Sequence, residues 1–187
     1  MIYLTKLLEQ LIFTYSTNKK IDLLVDYLKK SNAEEKGYTI ALLTGNLNFR
    51  NIKRSNVLNV IKKELDYYLF EQSYDYVGDL AETVALIWPK NNISKKIIIN
   101  EIILDLKKSI NIENTILEYL NILSTQERWA FIKLIIGGLR IGFSNNLVKK
   151  SLAKYGCKKL HEIENIWNGL EPPYNNLFLW LEGKGNY

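Results

Sequence analysis

Proline, cysteine, histidine and methionine are scarce in this chain: three prolines and one each of the others in 187 residues. With so few prolines, and ten glycines, helix breakers are rare and long helical stretches are favoured. A lone cysteine, Cys157, excludes an internal disulfide and fits a reducing, cytoplasmic setting. A lone histidine, His161, has no second imidazole for a metal site and no partner for a triad, and reads as a surface residue. No apolar run reaches the ~18 residues of a membrane span. The stretch Met1–Phe13 is interrupted by Lys6 and Glu9 and lacks a cleavage-site pattern, so no signal peptide is expected.

What is present is a globular composition, 47% apolar and 24% charged, with its charge sorted along the chain. Six basic residues lie between Lys36 and Lys63 (Lys36, Arg50, Lys53, Arg54, Lys62, Lys63) with no acidic one. Seven more lie between Ala130 and His161 (Lys133, Arg140, Lys149, Lys150, Lys154, Lys158, Lys159), again with none. At the chain's average these two stretches would hold about six carboxylates. From Glu64 to Glu82 the sign reverses. Such sorting suggests a cationic side suited to a polyanion, or two basic helical faces in solvent.

Residues 21–49 and 113–141 are one pattern written twice, at a constant offset of 92. Tyr27/Tyr119, Leu28/Leu120, Glu35/Glu127, Ile40/Ile132, Leu42/Leu134, Gly45/Gly137 and Leu47/Leu139 are identical. Each copy reads as a helix, a capping turn, a second helix ending at glycine, then a basic loop entering a third helix. Asn32 with Glu35, and Ser124 with Glu127, stand at capping-box spacing. The third helices restart at Ser55-Asn56 and Ser144-Asn145, with serine as the expected cap. Apolar periodicity is helical almost throughout, from the stripe Leu4, Leu7, Leu8, Leu11, Ile12 onward. Tyr74–Trp88 is expected as one helix, with Gly78 in its middle permitting close packing. Asn91-Asn92 marks a turn, and Ser94–Lys108, Cys157–Trp167 and Pro172–Glu182 follow as helices. The expectation is an all-α fold of about twelve helices in two pseudo-equivalent halves.

Catalytic chemistry is thinly represented. Cys157 follows Gly156 at an expected helix start and reads as a half-buried structural thiol. Asp75, Asp79 and Glu82 would share one helical face, where a cap or an interhelix ion pair is favoured over a metal. Gly137-Gly138-Leu139-Arg140-Ile141-Gly142 is no nucleotide-binding glycine loop, because no strand precedes it. Gly45 and Gly137 fit helix-ending glycines as well as contacts to phosphate. Trp129, Trp167 and Trp180 are expected in the core.

The segment Lys133–Ser144, reading KLIIGGLRIGFS, resembles a signature of the N-terminal DNA-binding domain of ATP-dependent DNA ligases. Gly78-Asp79-Leu80-Ala81-Glu82-Thr83 resembles that domain's second signature. Arg50 after Gly45, and Asn168-Gly169 before Glu171-Pro172, are similar to the bacterial branch. The resemblance runs from about Leu4 to Leu181. It implies an all-helical domain with internal pseudo-twofold symmetry that clamps nicked duplex DNA through its minor groove without reading sequence. It places Gly138, Arg140, Gly142 and Ser144 on one strand region and Arg50 with Arg54 on the other. The helix start Ser16–Lys20 would make a third contact. The interface expected on these grounds comprises Thr17, Asn18, Lys19, Lys20, Arg50, Lys53, Arg54, Ser55, Gly137, Gly138, Arg140, Gly142, Ser144, Asn145 and Lys149. Asp79 and Glu82, which phosphate would repel, read as scaffold.

Where members of that branch often carry basic residues, this chain has Asn46, Leu47 and Asn48. The adenylation motif Lys-x-Asp-Gly is absent from the sequence, so ATP and Mg would belong to catalytic domains outside this chain. Residues 1–182 are expected as a single DNA-binding domain, and 183–187 as the start of a linker to adenylation and OB-fold domains. A monomer is expected, cytoplasmic and nucleoid-associated, inactive alone but serving nick sealing in repair, recombination or replication. The alternative is a helical protein-interaction scaffold whose basic surface binds an acidic partner.

Overall fold

The computed structural model describes residues 1–49, 51–90, 97–137, 139 and 141–186. Among them, regular structure is helical throughout, with no strand. The twelve helices are α1 (Ile2–Phe13), α2 (Thr17–Lys30), α3 (Ala33–Leu43), α4 (Arg54–Glu64), α5 (Tyr67–Val77), α6 (Leu80–Ile87), α7 (Ile99–Lys108), α8 (Ile112–Ile122), α9 (Thr125–Ile136), α10 (Asn145–Tyr155), α11 (Leu160–Trp167) and α12 (Asn175–Leu181). None is long and apolar enough to cross a membrane.

Local sequence explains most boundaries. Ser16, Asn32, Ser124 and Ser144 cap α2, α3, α9 and α10, each accepting the backbone N–H three residues on. At Ser124 the box is closed, because Glu127 reaches back to the Ser124 N–H at 3.2 Å. The helix expected over Tyr74–Trp88 is instead two. Gly78, at φ 76°, ends α5, and Asp79 caps α6 by accepting the Glu82 N–H at 2.9 Å. Asp75 therefore lies on a different helix from Glu82, and the shared carboxylate face does not exist. The expected turn at Asn91-Asn92 and helix start at Ser94 lie outside the described residues. Cys157 is not at a helix start: Gly156 closes α10, and the thiol is exposed in the turn that follows.

Contacts divide the chain into two compact units. Unit 1 is Met1–Thr5 with Asn48–Gly138, and unit 2 is Lys6–Leu47 with Leu139–Tyr187. The units do not coincide with the copies of the repeat. Unit 1 holds the first two helices of the second copy, α8 and α9, and packs α8 against α4, the third helix of the first copy. Unit 2 holds α2 and α3 of the first copy and packs α2 against α10, the third helix of the second.

In unit 1, α6 lies on α9 and α5 on α6, with Val84, Ile102, Ile116, Leu120 and Phe131 fully buried. Burying each such side chain is worth about 1.5–3 kcal/mol. Trp88 is in this core, whereas Trp129, Trp167 and Trp180, expected there, are only half-buried. Arg128 on α9 is 2% exposed and has no carboxylate partner among the described residues. Its Nε donates to the Leu120 carbonyl at 2.7 Å, and its terminal nitrogens to those of Trp88 (3.3 Å) and Pro89 (3.0 Å). These oxygens lie at the C-terminal ends of α8 and α6, where a cation complements the helix dipole.

In unit 2, α3 packs on α12 and α10, and α11 on α10. Gly37 on α3 touches the Pro173 carbonyl: a Cβ there would come 1.8 Å from that oxygen. Lys36 beside it is buried, donating to Glu182 at 2.5 Å and to the Tyr155 hydroxyl at 2.8 Å. The Lys36 ammonium holds the Glu182 carboxyl down at about 2, helped by Lys184. Burial alone would lower the Lys36 ammonium, but its bonds to Glu182 and Tyr155 outweigh that and raise it.

Candidate nucleic-acid interface

Within unit 2, the starts of α2 and α10 are tied together. The Ser16 side chain caps the Lys19 N–H and that of Ser144 the Leu147 N–H, each at 3.4 Å. Ahead of those bonds, the first-turn N–H groups of Thr17 and Asn18, and of Asn145 and Asn146, have no intrahelical acceptor and favour anions. Thr17, Asn18, Lys19, Gly142, Ser144 and Asn145 are all exposed.

Lys20 is not. It is 8% exposed, and its ammonium donates to the carbonyls of Ile141 (2.7 Å) and Gly142 (3.2 Å). Expected as an outward phosphate contact, Lys20 instead joins the first turn of α2 to the segment that leads into α10. Lys149 lies over the Trp167 ring at 5.6 Å, and Trp167 stacks on Tyr174. Its ammonium is thus held on an indole face.

In unit 1, Lys53 stands at the cap position of α4, where its N–H donates to the Asn56 side chain at 2.8 Å. Ser55, expected as that cap, lies inside the first turn, because the helix begins one residue earlier at Arg54. Arg54 donates to the Tyr74 hydroxyl at 2.7 Å, and its guanidinium is 5.6 Å from that ring's centre. Gly137 ends α9 at φ 74°, ψ −160°, and is exposed. One turn earlier, Lys133 pairs with Asp79 at 2.5 Å. Burial would raise the Asp79 carboxyl, but Lys133 and the N–H groups of Glu82 and Ala81 outweigh it and hold it below the usual range. Asp79 thus supports the end of α9, as a scaffold carboxylate should. Arg50, Gly138 and Arg140 lie outside the described residues.

Much of the positive charge in the two basic stretches is already engaged. Lys36, Lys63, Lys133 and Lys154 form ion pairs with Glu182, Glu113, Asp79 and Asp22. Arg54, Lys62, Lys149 and Lys158 lie over the rings of Tyr74, Tyr67, Trp167 and Trp180. Lys53, Lys150 and Lys159 remain exposed, with no side-chain partner among the described residues. A surface lysine over a ring can still swing to a phosphate at a cost of about 0.5–1 kcal/mol, whereas a buried ion pair cannot. Lys36 and Lys133 are therefore fold rather than interface, whereas the exposed Lys63 and Lys154 pairs are weak enough to yield to a phosphate.

Sequence reasoning missed the role of Lys20 and the pair of buried cations Lys36 and Arg128. The second had a signal: the offset of 92 superposes Lys36 on Arg128, each directly after an identical glutamate. Lys20 had none, since its burial depends on a loop more than a hundred residues away.

Among the described residues no cluster of potential metal ligands occurs. Compared with models of known protein families and with the sequences of curated proteins, the chain matches none.

Proposed function

We propose that this chain binds nicked double-stranded DNA without reading sequence, as the N-terminal module of an ATP-dependent DNA ligase. The observation that carries the reading is the Lys20 tie in unit 2, which puts two serine-capped helix starts beside one glycine-containing loop. Helix starts supply N–H donors and positive dipole ends to phosphates, and Lys19 with Lys150 adds mobile cations. None of these groups discriminates between bases, which suits an activity required at any sequence. The resemblance of Lys133–Ser144 to the ligase signature supplies the nick and the parent enzyme. Adenylation and sealing would fall to other domains, and this module's contribution is affinity and register.

The test is fluorescence anisotropy of the chain with a nicked duplex, an intact duplex and an acidic peptide, over a salt series. Binding to DNA whose log affinity falls by about 0.9 per phosphate engaged, for each unit of log salt, is the expected result. Arg140→Ala and Lys19→Ala should each weaken all sequences alike and flatten that slope. Binding to the peptide in preference to DNA would overturn the reading in favour of a protein scaffold.

A further inference from the structure

A second surface, made of residues with no part in the reading above, lies on α7 and α8 in unit 1. It is a groove of about 350 Å³, at the lower end of the size range of ligand pockets. Its lining combines the aliphatic Ile97, Leu104 and Ile122 with three carboxylates, Glu101, Asp105 and Glu118, one ammonium, Lys108, and the Tyr119 phenol. Leu104 is 46% exposed, an open apolar surface with carboxylates on either side of it in sequence.

Asp22, Asp79, Glu113 and Glu182 each hold a lysine, yet no ion pair among the described residues engages Glu101, Asp105 or Glu118. Asp105 is fixed in place by the Tyr119 hydroxyl, which donates to its Oδ2 at 2.6 Å. Burial and the charges of Asp105, Glu101 and Glu118 push the Tyr119 phenol well above its usual range, so it remains a donor.

We propose that this groove docks a basic segment of a partner protein, in which lysine or arginine flanks an aliphatic or aromatic side chain. Charge complementarity selects the cationic residues, since three carboxylates with no ion pair among the described residues outnumber the Lys108 ammonium and would repel phosphate or an acidic peptide. The aliphatic half of the lining selects a peptide over a polyamine, which would leave Leu104 and Ile122 uncovered. The volume suits one side chain with its neighbours, so a short linear segment fits better than a folded face. The proposal is independent of DNA binding and stands or falls without it.

The test is selection of short random peptides displayed on phage against the whole chain, followed by binding of a labelled synthetic copy of the enriched sequence. Enrichment of lysine or arginine beside leucine, isoleucine or phenylalanine is expected. The double variant Glu101→Gln/Glu118→Gln should weaken the synthetic peptide by about tenfold, and Leu104→Ser by about fivefold. All three positions are exposed, and circular dichroism with thermal unfolding verifies that the variants fold. No enrichment, or unchanged binding to the double variant, would overturn the proposal. So would equal binding of an all-lysine peptide, which needs no groove. Self-association of the chain that the double variant abolishes would identify a second copy as the occupant and overturn the partner segment.

Discussion

Lys36 and Arg128 occupy the same position in the two copies of the repeat, and both are buried, yet they answer to different partners. Lys36 meets a carboxylate and a phenol, Glu182 and Tyr155. Arg128 meets three carbonyl oxygens at two helix ends. The neighbouring pairs diverge in the same way. Tyr27 shares a hydrogen bond with Thr39 in the first copy, whereas Tyr119 packs on Phe131 and sends its hydroxyl to Asp105 in the second. Gly37, pressed against Pro173, corresponds to the half-buried Trp129. The repeat therefore preserves a backbone plan and a place for a buried cation, while each unit solves the neutralisation of that cation separately. The first solution is titratable; the second is not.

The largest expected break in this comparison is Arg128→Met. Three carbonyls, two of them in buried bonds, would lose their donors, a cost of about 4 kcal/mol in urea unfolding. Arg128→Lys should recover only part of it, since one ammonium cannot reach all three oxygens. A loss below about 1 kcal/mol would mean that water replaces the guanidinium freely.

Gly37→Ala comes next, at about 3 kcal/mol, because the new methyl would collide with backbone rather than with a movable side chain. Trp129→Ala at the corresponding position should cost less, its ring being only half-buried. Equal costs would remove the asymmetry between the copies.

Lys36→Met should cost about 2 kcal/mol, less than Arg128→Met, because Glu182 keeps access to water. The pH dependence sharpens the contrast. Glu182 is held at about 2 in the fold, below the ordinary glutamate range, so its stabilising pair is intact at neutral pH. It is lost as pH falls from that ordinary range toward about 2. Glu182→Gln should flatten this acid limb, measured as thermal midpoint against pH; an unchanged limb would assign it to other carboxylates.

The smallest effects are expected at the paired glycines. Gly45 ends α3 with the Asn46 N–H on the Ala41 carbonyl and its own on that of Leu42, a Schellman closure that asparagine can also make. Gly137 shares the positive φ but has ψ −160°, a region nearly reserved for glycine. Gly137→Asn should therefore cost about 1–2 kcal/mol and Gly45→Asn only a few tenths. The reverse order in thermal unfolding would contradict the geometry.

The caps at Ser16, Asn32, Ser124 and Ser144 were legible because capping is decided within four residues, and the offset of 92 was legible because it is arithmetic on the sequence. The break at Gly78-Asp79 was not. A glycine and a carboxylate inside an apolar helical period look like tolerated guests until Lys133, from another helix, is seen holding Asp79. The basic stretches misled in part for a related reason. Charge counted along a chain does not reveal which lysines face a carboxylate, and Lys36 and Lys133 were counted as surface before their partners were known. Of the expected interface, the helix starts at Thr17–Lys19 and Ser144–Asn145 are exposed, while Lys20 required tertiary structure to place.

The exchange of third helices between the repeat copies has a consequence for synthesis on the ribosome. α2 emerges more than a hundred residues before α10, the helix it packs against. α4 likewise waits for α8. A nascent chain can therefore complete unit 1 as soon as α9 is clear of the exit tunnel, but unit 2 has to keep its first helices open until nearly the whole sequence has been made. The apolar faces of α2 and α3, carrying Leu24, Leu28 and Ile40, spend that interval uncovered.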